Sequence, residues 1–148
     1  MRPQCTACGW IYFHNPAPAA GTISHPPGDL SQILLVKRGI QPFKGTWGVP
    51  AGFQDADETP EFCAARETRE ETGAEIRIVS LFDVGYVADD PRKPAILIVY
   101  EAEIVGGVIA GNDDALEARL WPVSALPESF GFANTKRVID RWVRERSR

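Results

Sequence analysis

The chain has 148 residues, 44% hydrophobic and 24% charged, the composition of a single globular domain with its own core. Sixteen basic against twenty acidic side chains leave a net charge of −4, which argues against a broad electrostatic grip on nucleic acid. No apolar run approaches the roughly 20 residues of a membrane helix, so neither nucleic acid nor membrane is an expected partner.

The lead-in, residues 1–20, is punctuated by proline, and residues 3–28 carry no Lys, Arg, Asp or Glu. Ala17-Pro18-Ala19 loosely suggests a signal-peptide cleavage site. The apolar patch before it, Trp10-Ile11-Tyr12-Phe13, is too short for the secretory apolar region of about 7–15 residues, so the chain is read as mature. Three cysteines, Cys5, Cys8 and Cys63, are too few for a disulfide framework and point to a reducing, cytoplasmic compartment. Cys5-Thr-Ala-Cys8 supplies two of the four ligands that a structural zinc ion needs. His14 and His25, or a second chain, could complete the set, but a pair that binds nothing is the favoured reading.

Pro26-Pro27-Gly28-Asp29 predicts a turn, and the β-branched run Gln32–Arg38 a strand. Gly39 to Gly52, with Pro42, Gly45, Gly48 and Pro50, reads as a loop. Thr59 as N-cap, Pro60 in the first turn and Glu61 at the positive end of the dipole open a helix expected to reach about Thr72, where Gly73 supplies a left-handed cap. Strand-like runs follow at about 75–87, 95–105 and 118–123. The last helix has Asn134 as its expected cap and Val138, Ile139, Trp142 and Val143 on one buried stripe, with Arg137, Arg141, Arg144 and Arg148 on a solvated face.

The first of these helices carries the chemistry. At about 100° per residue, Glu67, Glu70 and Glu71 fall within roughly a third of its circumference. Like charges at these spacings destabilise a helix by a few tenths of a kcal/mol per pair, an effect that a divalent cation reverses. Magnesium suits the cluster, being held by a few carboxylates together with water and phosphate oxygens. Arg66 can pair with Glu70 or Glu58 and hold a carboxylate in place. The preceding glycine- and proline-rich loop can bring backbone carbonyls to the same ion.

Gly52, Glu58, Arg66, Glu67, Glu70, Glu71 and Gly73 together match the spacing Gly-x5-Glu-x7-Arg-Glu-U-x-Glu-Glu-x-Gly-U, where U is a bulky aliphatic residue, and the chain thereby resembles the Nudix hydrolases. A chance match is on the order of a few in a million. Thr68 and Ala74 stand where larger aliphatic residues are usual, so looser packing beneath the helix is expected. The likeness extends through Leu34–Arg38, Gly45–Phe53 and Trp121-Pro122, covering most of residues 20–145.

The resemblance implies an α+β fold, an α/β/α sandwich around a mixed β-sheet, and hydrolysis of a nucleoside diphosphate linked to another moiety with Mg2+ or Mn2+. It assigns Glu67 and Glu71 as principal metal ligands, Glu70 as a direct or water-mediated one and the Ala51 carbonyl as a backbone ligand, with Arg66 completing the catalytic set. Glu67, or an acid from a later segment, would be the base; Glu101, Glu103 and Glu117 are the later candidates. Arg38 would reach substrate phosphates, and Phe43 and Glu117 would touch the substrate, while Trp47 reads as core and Cys63 as a small buried residue. Cys5, Cys8, Tyr12 and Asn15-Pro16 resemble the second half of the zinc ribbon in ADP-ribose and NADH pyrophosphatase-like relatives. That divides the chain into a zinc-ribbon-like remnant at 1–20 and a Nudix domain at 21–148. The sequence array associated with NADH and the coenzyme A motif are missing, which leaves ADP-ribose or another ADP-sugar as the expected small-molecule substrate. Nucleoside triphosphate house-cleaning, RNA decapping or a non-catalytic nucleotide-binding module are the alternatives, and a homodimer is an open option.

Overall fold

The computed structural model describes residues 1–146, so Arg148 of the expected arginine face lies outside it. In chain order the elements are β1 (Ala17–His25), β2 (Gln32–Arg38), β3 (Trp47–Gly48), β4 (Ala51–Phe53), α1 (Pro60–Thr72), β5 (Ala74–Val87), β6 (Ala95–Gly107), β7 (Ala115–Pro122) and α2 (Ala133–Arg146). They form two sheets, one in the order β4-β1-β6-β5 and one in the order β3-β2-β7. Because β1 runs parallel to β6 and antiparallel to β4, the larger sheet is mixed, and the fold is α+β.

Strand β1 is the element that the sequence hides. Its first half is Ala-Pro-Ala-Ala-Gly, poor in β-formers, and the expected division of the chain at residue 20 falls within it. The small residues answer to its central place: a Cβ on Gly21 would lie 2.5 Å from both the Ala51 Cβ and the Pro50 carbonyl oxygen. Alternation along β1 then sorts the two faces. Ala20 packs with Cys63 and Ala64 of α1 and with Tyr100. Ala19 and Ile23 join Ile33, Leu35, Leu97, Val99 and the α2 stripe Val138, Ile139 and Trp142 in the main core. Each such large side chain, fully buried, contributes about 1.5–3 kcal/mol.

Beneath α1 the packing is closed rather than loose, contrary to the expectation from Thr68. Thr68 is fully buried, donates to the Ala64 carbonyl at 2.8 Å and lies 2.9 Å from the Thr22 hydroxyl, which in turn meets Ser24 at 2.7 Å. A hydroxyl chain on β1 thus matches the hydroxyl on the helix, and every member has a partner.

Helix α2 also differs from expectation at two points. Asn134 lies inside its first turn, where it accepts from Arg137, while Asp89 from the β5–β6 connection accepts from the Ala133 N–H at 3.3 Å. Its arginine face is not simply solvated. Arg137 and Arg141 both grip the buried Asp83 of β5, at 2.6 and 3.0 Å, and Arg146 pairs with the buried Glu101 of β6. These ion pairs fasten the helix across the sheet.

Candidate active site

Helix α1 starts and stops as its local chemistry dictates. The Thr59 hydroxyl accepts from the Phe62 N–H at 3.2 Å, Pro60 opens the first turn, and Gly73 ends the helix at φ 73° with its N–H on the Arg69 carbonyl. Around Arg66 the charged face becomes a fixed network. Its Nε and Nη2 fork onto Glu58 at 3.0 and 2.6 Å, Nη1 reaches Glu67 at 2.7 Å and Glu70 at 3.0 Å, and Nη2 also donates to the Phe53 carbonyl. The fork and the Asp55 N–H hold the Glu58 carboxyl down at about 2, so it stays an anion and keeps Arg66 in place. Arg66 therefore pairs with both partners that the spacing allowed.

Glu67 lies across Gly52. A Cβ at residue 52 would fall 2.2–2.4 Å from the Glu67 carboxylate atoms, which is the physical reason for glycine there. Burial raises the Glu67 carboxyl above its ordinary value, Arg66 opposing and Glu70 and Asp113 adding to the rise. Glu71 is pushed further, up to about 8, by burial first and by the Glu67 charge second, against the pull of the Ala51 N–H and Arg38. Its Oε2 accepts from that N–H at 3.2 Å. On β4, an edge strand, the bonds from Thr22 N–H to the Pro50 carbonyl and from Gln54 N–H to the Pro18 carbonyl fall on even-numbered positions of the strand. By alternation, Ala51 turns both its N–H and its carbonyl outward, toward the side where Glu71 sits.

Arg38, at the end of β2, stacks on Phe132 at 4.9 Å and donates to the Pro42 carbonyl. Burial lowers its guanidinium, while Glu71 and Asp114 support the charge. Phe43, at φ 64°, meets Phe132 edge-on at 5.0 Å and so joins the same group. Trp47 is buried in the main core against Trp121. The Cys63 thiol, 3.6 Å from the Gly52 carbonyl, is pushed up to about 12 by burial and by Glu58, which keeps it protonated and unreactive.

The later acids separate clearly. Glu101 and Glu103 alternate with Tyr100 onto the face of β6 away from α1, where they pair with Arg146 and Arg77. Glu117 is exposed on β7, 3.9 Å from Arg119. The acids that act electrostatically on Glu67 and Glu71 are instead Asp113 and Asp114, which the sequence reading passed over. Their loop is tied to the end of α1 by bonds from the Ala110 and Asn112 N–H groups to the Thr72 and Glu71 carbonyls, and to the end of β2 by one from the Gly39 N–H to the Asp114 carbonyl.

Magnesium needs oxygen donors, and two facing carboxylates beside an outward-turned carbonyl fit it. As the side chains stand, no three acidic, His or Cys groups among the described residues converge on one point. Arg66 engages Glu70, and Glu71 rests on the Ala51 N–H. The raised Glu71 marks a buried carboxylate whose burial outweighs the nearby Arg38 charge, and a metal ion would relieve it.

An open cleft of about 510 Å³ is lined by Tyr86, Ala88, Asp89, Ala133, Asn134 and Arg137. It adjoins the Arg38 cluster through Phe132, the residue before Ala133. Asn134 fills the space that a Cβ on Gly85 would occupy, and its Nδ2 lacks a hydrogen-bond partner. At the other end of the chain, Cys5 and Cys8 are exposed and free, and neither His14 nor His25 forms a group of three ligands with them among the described residues.

The family model described as "NUDIX domain" matches residues 16–143. The chain is 36% identical over 135 residues to an ADP-ribose pyrophosphatase of Methanocaldococcus jannaschii, covering 89% of this chain and 77% of that protein. It is 30% identical over 142 residues to the NAD-capped RNA hydrolase NudC of Pseudomonas aeruginosa, covering 88% of this chain but only 49% of NudC. Among solved structures, a Nudix hydrolase from Nitrosomonas europaea superimposes with a TM-score of 0.88 at 30% identity, over 99% of this chain and 80% of that one. The Nudix domain of Shewanella oneidensis NrtR, solved with ADP ribose, shares the fold at a TM-score of 0.74 and 22% identity, over 92% of this chain and 91% of that one. With the glycine, the arginine clamp and the glutamates of α1 all in place, the chain belongs to the Nudix family and is a Nudix pyrophosphohydrolase.

Proposed function

We propose that the enzyme cleaves the pyrophosphate bond of an ADP-sugar, ADP-ribose foremost, with Mg2+ or Mn2+ bound at Glu67, Glu71 and the Ala51 carbonyl and with Glu70 released from Arg66 to join them. The observation that carries this reading is Glu71, a buried carboxylate close to Glu67 with no cationic side chain bonded to it among the described residues. The similarity to an ADP-ribose pyrophosphatase supports the choice of substrate. When bound, the metal neutralises phosphate charge and lowers the pKa of the attacking water.

The chain's own groups do the rest. Arg38, steadied by Phe132 and, through it, by Phe43, faces the phosphates; Arg66 fixes Glu67 over Gly52 so that its carboxylate is aimed before substrate arrives. The cleft at Tyr86 and Arg137 takes the nucleoside end, with one aromatic ring and one guanidinium to orient it. Glu117, an exposed acid of β7, is read as a further substrate contact. The proton of the attacking water goes to Glu67 or to the loop acids Asp113 and Asp114, whose charges already bear on the cluster.

A dinucleotide of the NAD type is the second reading, favoured by the NudC relatives, of which this chain spans about half. The free cysteines agree with a cytoplasmic setting, and no described helix is long and apolar enough to cross a membrane.

The test is a turnover panel of ADP-ribose, ADP-glucose, NADH, diadenosine polyphosphates and nucleoside triphosphates with Mg2+ or Mn2+ and an EDTA control. The expected result is metal-dependent release of AMP and ribose 5-phosphate from ADP-ribose, faster than release from any triphosphate. Preference for triphosphates, or binding without cleavage of any compound, would replace this reading with house-cleaning or a nucleotide-sensing module.

A further inference from the structure

The amino-terminal arm carries a pair of thiols that the catalytic site does not use. Residues 4–11 form a tight hairpin, with a bridge between Gln4 and Ile11 and the Cys5 N–H on the Trp10 carbonyl at 2.7 Å. At its tip the Gly9 N–H closes a turn onto the Cys5 carbonyl at 2.9 Å. Gly9, at φ 75°, lets the chain double back, and the Gln4 amide bonds its carbonyl at 3.0 Å. A closed turn brings Cα atoms three positions apart to within about 7 Å, and a disulfide joins Cα atoms about 4.4–6.8 Å apart. Both thiols are exposed and free. The N–H groups of Ala7 and Cys8 and the Cys8 thiol all bear on the Cys5 sulfur, which favours its thiolate.

We propose that Cys5 and Cys8 form a dithiol/disulfide couple that exchanges with small-molecule disulfides at the tip of the hairpin. The Cys5 thiolate attacks one sulfur of the small disulfide; a bond forms between them, the small disulfide's own S–S bond breaks, and one thiolate leaves. The Cys8 thiolate, on the same turn, then attacks the Cys5 sulfur, closes the ring and expels the second thiolate. The two leaving thiolates take up the two protons that the cysteines release. Two electrons pass from the cysteine pair to the small disulfide, so the pair is oxidised and two small thiols are produced; an excess of that thiol runs the sequence backwards. The bond would be a switch and not a staple. The Gln4–Ile11 bridge and the Gln4–Gly9 bond already hold the hairpin with both thiols free. The ring would close only the segment from Cys5 to Cys8, and the stabilisation a disulfide lends grows with the loop it closes, so little folding energy protects this one from reduction. Cys63 does not compete, being buried with its thiol pushed up to about 12.

The test is mass spectrometry of the full chain, reduced, freed of reductant without air and with EDTA present, then incubated with glutathione disulfide. The expected result is a chain lighter by two hydrogens, with Cys5 linked to Cys8 in the peptide map, Cys63 open to alkylation only after unfolding, and both thiols restored by excess glutathione. In Cys8→Ser the reaction should stop at one glutathione held on Cys5, and in both Cys5→Ser and Cys8→Ser the ring-closed form should fall by roughly tenfold or more. The exposed positions of both cysteines leave the fold of these variants intact, which circular dichroism checks. Thiols that stay free in excess glutathione disulfide, two glutathiones held on one chain, chains linked in pairs, or a ring-closed form that persists in either single variant would each overturn the couple. None of these outcomes depends on which nucleotide the enzyme cleaves.

Discussion

Replacing Glu71 by Gln is expected to abolish turnover and, in metal-free protein, to raise the melting temperature at neutral pH. The two effects have one cause. The carboxyl titrates at its ordinary value of 4.5 when unfolded and at about 8 when folded, because burial and the Glu67 charge disfavour the anion. Between those pH values the folded state holds a proton that the unfolded state has released, so stability falls as pH rises from about 4.5 to about 8 and is level above that. Gln keeps an acceptor for the Ala51 N–H and has no such proton. The gap in melting temperature between variant and wild type should therefore open across that window, by roughly 2–4 °C for each kcal/mol recovered. Catalysis moves the other way. Losing a principal ligand removes several kcal/mol of charge stabilisation, about a thousandfold in kcat. Thermal scans at pH 5, 6, 7 and 8 in EDTA, with turnover in Mg2+, measure both, and full activity in the variant would refute the ligand assignment.

Gly52→Ala is the second large effect. The added methyl would sit 2.2–2.4 Å from the Glu67 carboxylate, closer than any real contact, and that carboxylate is bonded to Arg66 at 2.7 Å. Either Glu67 swings away or β4 shifts. A displacement of about 1 Å in a catalytic group costs on the order of a hundredfold in rate. Overpacking of this kind costs about 1–3 kcal/mol of stability, so the protein should remain folded at 25 °C. The variant is expected to keep its circular dichroism and lose about a hundredfold in kcat with a smaller change in KM. Wild-type kcat would show that the close approach of Glu67 to Gly52 has no part in the reaction.

What the sequence disclosed was what local chemistry determines. Thr59, Pro60, Gly73 and the glutamate spacing are all contained within one helix, and its bounds and its shared acidic face follow from them. Strands β2, β5 and β6 carried enough β-branched and aromatic residues to declare themselves. Strand β1 did not, because a central position against Pro50 and Ala51 selects small residues over β-formers. The short strands β3 and β4 lay concealed in a stretch whose Gly and Pro content reads as loop.

The rest of the site depends on contacts distant in sequence. Thr68 looked like a packing defect until Thr22, 46 positions earlier, supplied the partner for its hydroxyl. Asp113 and Asp114 carry no local mark of function; only the bonds from their loop to the end of α1 bring them near the glutamates. Arg137 and Arg141 look solvent-facing by helical periodicity alone. Asp83, in a strand more than fifty positions earlier, draws them inward.

Glu71 and its neighbours are expected to bind the divalent ion, which a Mn2+ titration followed by the electron paramagnetic resonance of the free ion at pH 6, 7 and 8 measures. Binding must displace the proton that Glu71 holds below about 8, so affinity should rise with pH by up to about tenfold per unit and level off above that value. In Glu71→Gln the binding should weaken and lose its pH dependence. Tight Mn2+ binding that is independent of pH and equal in wild type and variant would place the metal elsewhere and contradict the account.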